Sequence, residues 1–102
     1  MEREKRRSVR VSADRRVRRD VVKYEKPVIK KAAEMEAGDI FRCSYGDYNN
    51  IVEVVFEKCE ADGVNGTSTK ITVHYIGRDQ SFDMYTLDPI DKATFDVVGK
   101  VS

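Results

Sequence analysis

Thr69-Lys70-Ile71-Thr72-Val73-His74-Tyr75 is the stretch that decides the fold of this chain. Apolar and polar side chains alternate along it and β-branched residues fill most of it, the pattern of a half-buried strand. Downstream, Gly77-Arg78-Asp79-Gln80 makes a polar connection into Ser81-Phe82-Asp83-Met84-Tyr85-Thr86, which alternates again and reads as the next strand. Upstream, Glu60-Ala61-Asp62-Gly63-Val64-Asn65-Gly66-Thr67 is a hairpin loop in which Asn65-Gly66 tolerates positive φ. Before it, Ile51-Val52-Glu53-Val54-Val55-Phe56-Glu57-Lys58-Cys59 is a β-branched strand with its glutamates facing out. Ser44-Tyr45-Gly46-Asp47-Tyr48-Asn49-Asn50 is a turn, and Ile40-Phe41-Arg42-Cys43 is the first short strand of this set. Leu87-Asp88-Pro89 breaks the ladder, leaving residues 90–101 to supply a closing strand or a turn of helix. Four or five short strands within about 60 residues, with no long helix, imply a mainly β fold: a small curled sheet or barrel.

The charge is distributed unevenly along the 102 residues. Residues 1–31 carry thirteen Lys/Arg against five Asp/Glu, a formal +8, whereas residues 32–102 carry six against thirteen, a formal −7. A basic segment joined to an acidic one suggests two tasks. Residues 1–37 read as a basic N-terminal arm and linker, and residues 38–102 as the folded domain. The first ten residues offer only scattered valines to bury and are expected to be disordered when free. Ser12 is placed to cap a short, marginal helix through residues 13–22, which Pro27 would end; residues 28–37 then form a linker or a short helical turn.

No apolar run is long enough to span a bilayer, and the charged N-terminus lacks the apolar core of a secretory signal. Cys43 and Cys59 are too few for a disulfide scaffold and, with the single His74, make no zinc pattern, so no metal and no cofactor is expected. A reducing, intracellular setting is the natural reading. Asn65-Gly66-Thr67 matches a glycosylation sequon but reads as a turn. No phosphate-cradling glycine loop and no Ser-His-Asp or Cys-His arrangement is visible, and the chain is read as non-catalytic.

Two sets of residues point to binding. Lys5, Arg6, Arg7, Arg15, Arg16, Arg18 and Arg19 place many cations on the arm. Such groups pair with phosphates and gain from counterion release, so the arm is expected to bind nucleic acid; the same clusters fit a nuclear-localisation signal. The second set is aromatic: Tyr45, Tyr48, Tyr75, Phe82 and Tyr85 lie next to turns, which converge on one rim of a small barrel. Aromatic faces around a pocket bind a methylated ammonium by cation–π attraction. Filling a small core is the competing use of such rings, and it explains Tyr45 and Tyr48, set in a polar turn, least well.

Val73-His74-Tyr75-Ile76-Gly77, the polar loop after it, and Phe82-Asp83-Met84-Tyr85 together resemble the signature of chromo-barrel (Tudor-knot) domains. That family includes the N-terminal domains of MYST-type histone acetyltransferases and of MRG/MSL chromatin proteins. Residues 38–56 are similar to its first hairpin, with Glu53-Val54-Val55 on a matching strand, and the likeness covers roughly residues 38–91. It implies an SH3-like barrel of four to five strands. It also implies an aromatic cage built from Tyr45 or Tyr48, Tyr75 and Phe82, in which Arg78 stands where a strong methyl-lysine cage has an aromatic. Asp83 keeps the family's acidic position, and Tyr85 takes the place of a barrel-packing tryptophan.

The resulting expectation is a nuclear, chromatin-targeting module that binds RNA or DNA, a histone tail, or both. On the likeness it is the N-terminal part of a MYST-type histone acetyltransferase, with the acetyl-transfer domain beyond Ser102. The alternatives are a scaffold acting through a barrel edge or the acidic face, a methyl-lysine reader, and a small SH3-like RNA-binding protein. Neither a membrane nor a small-molecule substrate is expected as a partner.

Overall fold

The computed structural model describes residues 21–45 and 50–101. They form six strands: β1 Val22–Lys31, β2 Asp39–Tyr45, β3 Asn50–Asp62, β4 Ser68–Tyr75, β5 Ser81–Thr86 and β6 Thr94–Val101. All pair antiparallel in a single sheet of order β1-β6-β2-β3-β4-β5. The mainly β expectation is met, and the closing segment takes the strand option rather than the helical one.

The four inner strands, β6, β2, β3 and β4, explain the apolar runs of the sequence. One face of the sheet buries Phe41, Val54, Phe56, Ile71, Val73, Phe95 and Val97, with Ala32 and Ala93 at its margins. The other face buries Ile40, Val55 and Val98 in a smaller cluster. Runs such as Val54-Val55-Phe56 are therefore covered on both sides, and strict alternation gives way there. At the centre of the larger cluster three phenylalanine rings meet edge to face. Phe41 and Phe95 lie 5.0 Å apart, Phe56 and Phe95 5.8 Å, and Phe41 and Phe56 6.5 Å. Each ring's positive edge meets a negative face in that arrangement.

Between β3 and β4 the chain turns as its sequence requires, with Gly63, Asn65 and Gly66 all at positive φ. Between β5 and β6 the amides of Lys92 and Ala93 both donate to the Pro89 carbonyl at 2.9 Å, a tight turn that sends β6 back beside β2.

The N-terminal side differs from the sequence reading. Val22, expected at the end of a helix, and residues up to Lys31, expected in the arm and linker, form β1, paired with β6. The rest of the expected helix, residues 13–20, lies outside the described residues, as do residues 1–12. A short helix with so small an apolar stripe gains little by itself, whereas pairing with β6 satisfies a row of backbone groups. Pro27 is accommodated because it falls in the register shift between Tyr24 and Val28, on an edge strand, where no ladder bond needs its missing N–H. A single 3-10 turn, Ala32–Glu34, follows, closed by the Lys31 amide donating to Glu34 Oε1 at 2.7 Å.

Contacts beyond the ladder help to hold β1 in place, among them the Tyr24 hydroxyl donating to Glu53 Oε1 at 2.8 Å. Tyr24 lies over Gly99, where an added Cβ would meet the Lys23 carbonyl oxygen at 2.7 Å and Tyr24 Cα at 3.0 Å, so this position needs glycine for the close approach. The buried carboxylate of Asp39 accepts from Lys30 Nζ at 3.1 Å and from the Glu36 amide at 3.0 Å, with Lys100 Nζ at 3.7 Å. Charges from β1, β2 and β6 thus converge on one side chain.

Candidate nucleic-acid interface

Tyr75 ends β4 and Phe82 is the second residue of β5, so the connection between them is short. The Arg78 amide donates to the Tyr75 carbonyl at 3.0 Å, which closes a β-turn over Ile76-Gly77, and Gly77 sits at φ +80°. Positive φ at the third position of such a turn is what a type II geometry needs, and glycine meets it without strain.

Strand register sets the direction of both rings. Tyr75 pairs with Val54 and Phe82 with Val73, so both rings continue the face that carries the phenylalanine cluster. Their centroids are 4.9 Å apart and their planes are inclined by 39°. Phe82 is half-buried against the core, while Tyr75 keeps 40 % of its surface exposed. The pair borders an open cavity of about 760 Å³ whose described lining is Tyr75, Arg78, Asp79, Gln80 and Phe82.

The rings are clamped from the opposite face of the sheet. Glu57 lies in the register shift between Phe56 and Lys58. Its Oε2 accepts from His74 Nδ1 at 2.6 Å and from Ser81 Oγ at 2.5 Å. His74 precedes Tyr75 and Ser81 precedes Phe82, so one carboxylate fixes the spacing of the two residues that carry the rings. On the next rung Thr72 Oγ1 donates to Asp83 Oδ1 at 2.9 Å. A preorganised pair of this kind loses little side-chain freedom when a ligand arrives.

The structure brings together Tyr75, Phe82 and Arg78 from the expected cage positions, and it adds Asp79 and Gln80. Tyr45 ends β2 opposite Asn50, at the same end of the sheet as the turn after Tyr75. Tyr48 lies outside the described residues, as do Lys5, Arg6, Arg7, Arg15, Arg16, Arg18 and Arg19. Tyr85, expected to pack the barrel, is instead 62 % exposed: Met84, opposite Ile71, takes the inward position and the strand's alternation turns Tyr85 out. Asp83 serves Thr72 rather than the cavity.

A methylammonium cage sets several aromatic faces around the cation, and of the candidate rings the structure describes Tyr75 and Phe82. Among the described residues Tyr75 and Phe82 lie in contact at 4.9 Å and offer a shared shelf, beside which Arg78 supplies a cation. A flat π system stacks on such a shelf, and a guanidinium group pairs with phosphate. Comparison with protein-family models, with curated proteins and with solved structures finds no match for this chain.

The clamp on the rings was not legible in the sequence. His74 belongs to the family-like stretch and Ser81 opens the next strand, but the irregularity that places Glu57 against both depends on how β3 and β4 pair. Asp79 and Gln80 carried a weaker signal, the confinement of a polar loop between Gly77 and a strand.

Proposed function

We propose that this chain is a non-catalytic binding module that holds single-stranded nucleic acid on the Tyr75–Phe82 shelf, with a phosphate on Arg78. The observation that carries the reading is the clamped aromatic pair with an arginine in the same cavity. Base–aromatic stacking contributes about 1–3 kcal/mol per base and tolerates any sequence. The basic arm, through Lys5, Arg6, Arg7, Arg15, Arg16, Arg18 and Arg19, adds phosphate contacts that strengthen binding without specifying bases.

The architecture we assign is an SH3-like, Tudor-like chromo barrel made by β2 to β6, with β1 added at its edge. In favour of it are the spatial order β6-β2-β3-β4-β5, in which the last strand returns to the first of the five, and the tight turn at Pro89. The sequence likeness over residues 38–91 supports placing the module in a nuclear, chromatin-associated protein of the MYST acetyltransferase type. RNA or DNA, and histone-bearing chromatin, would be its partners.

The test is fluorescence anisotropy with a uridine oligonucleotide over a range of salt concentrations. Tyr75→Ala should weaken binding about tenfold, the effect of losing one stacked base. Arg78→Ala should lower the slope of log affinity against log salt by about one phosphate contact. Tyr75 is part-exposed, so circular dichroism should show the variant folded. Unchanged affinity in folded Tyr75→Ala would refute the shelf as the binding surface.

A further inference from the structure

The two edges of the sheet are built differently. β1 carries the features that block edge pairing: Pro27, a register shift between Tyr24 and Val28, and exposed Lys23, Lys26 and Lys31. β5 carries none of them. Its register against β4 runs without a shift from Thr86 opposite Thr69 to Ser81 opposite His74, and it contains neither proline nor lysine. Beside it the large apolar side chains of Tyr85 and Leu87 are 62 % and 90 % exposed.

A groove of about 460 Å³ runs along this edge. Met84, Tyr85 and Thr86 of β5 line it in succession although their side chains alternate between faces, so the strand's edge borders the groove, and Leu87 and Asp88 extend the lining past the strand's end. Phe41, Ile71 and Phe95 contribute apolar surface to the lining, which also takes in Cys43 and Ser44 of β2 and Thr94 and Asp96 of β6. The charged residues in the lining are Asp88, Asp96 and Arg42, and Arg42 is already paired with Glu53 at 3.2 Å. Asp83 adds a third carboxylate on β5 itself.

We propose that β5 is a docking edge for an extended peptide in which apolar residues alternate with lysine or arginine. The peptide adds a strand antiparallel or parallel to β5 by main-chain hydrogen bonds, its apolar side chains enter the groove, and its cations meet Asp88 and Asp96. Charge complementarity selects this occupant. A second copy of the chain is disfavoured, because β5 against β5 brings like carboxylates together and β1 is blocked.

The experiment is an NMR titration of the isotope-labelled full chain with a capped peptide alternating valine and lysine. Two control peptides carry backbone N-methyl groups at alternate residues or glutamate in place of lysine. The expected result is amide shifts and slowed hydrogen exchange confined to residues 82–88 and the groove-lining parts of β2, β4 and β6. Binding should fall at least about tenfold with either control, the loss of roughly 1.4 kcal/mol. It should also fall in Asp88→Asn/Asp96→Asn, whereas uridine-oligonucleotide binding by that variant stays unchanged. Shifts elsewhere, no shifts at millimolar peptide, or equal binding of the N-methylated peptide would overturn the proposal. Concentration-dependent dimers that disappear in Leu87→Lys would overturn it in favour of self-association.

Discussion

Phe95→Ala is expected to lower the unfolding free energy by about 3–5 kcal/mol, the usual cost of emptying a buried aromatic position. Phe95 is 4 % exposed and is the ring closest to both partners, with Phe41 at 5.0 Å and Phe56 at 5.8 Å. Removing it leaves two rings facing a void, and a β framework pinned by its ladders collapses into such a void only in part. Domains of this size have total stabilities of about 5–15 kcal/mol, so the loss would leave a large share of molecules unfolded near the low end. Urea titration followed by circular dichroism measures it. Leu87→Ala is the control, with an expected change within about 0.5 kcal/mol because Leu87 is 90 % exposed. A Phe95→Ala cost below about 1 kcal/mol would show that the ring cluster is not the centre of the core.

Asp39→Ala is expected to cost about 2–3 kcal/mol, in the upper range for hydrogen bonds to a charged group. Its carboxylate is 1 % exposed and gathers Lys30, Lys100 and the Glu36 amide. Both lysines keep solvent access, so they rehydrate when the acid is removed, which holds the cost below that of an orphaned buried charge. The Glu36 amide loses its acceptor, and β1 loses a tie to β2. Asp39→Asn keeps an acceptor for that amide and should recover part of the loss. Hydrogen exchange should accelerate first along β1, the strand tied through Lys30. Equal exchange rates in Asp39→Ala and the parent chain would contradict this account.

How much of this was readable from the chain alone varied with the range of the interactions. β3, β4 and β5 were legible because alternation, β-branching and the Asn65-Gly66 turn are local signals that tertiary packing happens to agree with. β1 was not, because its partner β6 lies at the other end of the sequence and nothing local announces the pairing. Pro27 reads locally as the end of a helix, and only the register shift on an edge strand reconciles that proline with a sheet. In the candidate site, Tyr75 and Phe82 stand out in the sequence as aromatics beside turns, whereas Arg78 is marked only by the family likeness, at a position where a cage has an aromatic. Tyr85 was misread as a packing ring because which of Met84 and Tyr85 points inward depends on the register of β5 against β4.

At the β2–β6 junction an acid and a base shift each other's titration. Glu36 is held below the ordinary carboxylate range, first by its hydrogen bond from Lys100 and then by the charges of Lys100 and Lys30. Lys100 is correspondingly raised, chiefly by Glu36. A lowered carboxyl stabilises the fold above its unfolded titration range and loses that contribution as pH falls through the folded one. At neutral pH this pairing near the β2–β6 junction is therefore intact.

The most direct test of the central claim is to titrate the isotope-labelled full chain with a uridine oligonucleotide and record amide and aromatic shifts residue by residue. The account predicts the largest changes at Tyr75, Arg78 and Phe82, with ring protons moved upfield by a stacked base. Shifts confined to the arm, with those three residues unmoved at saturation, would contradict it.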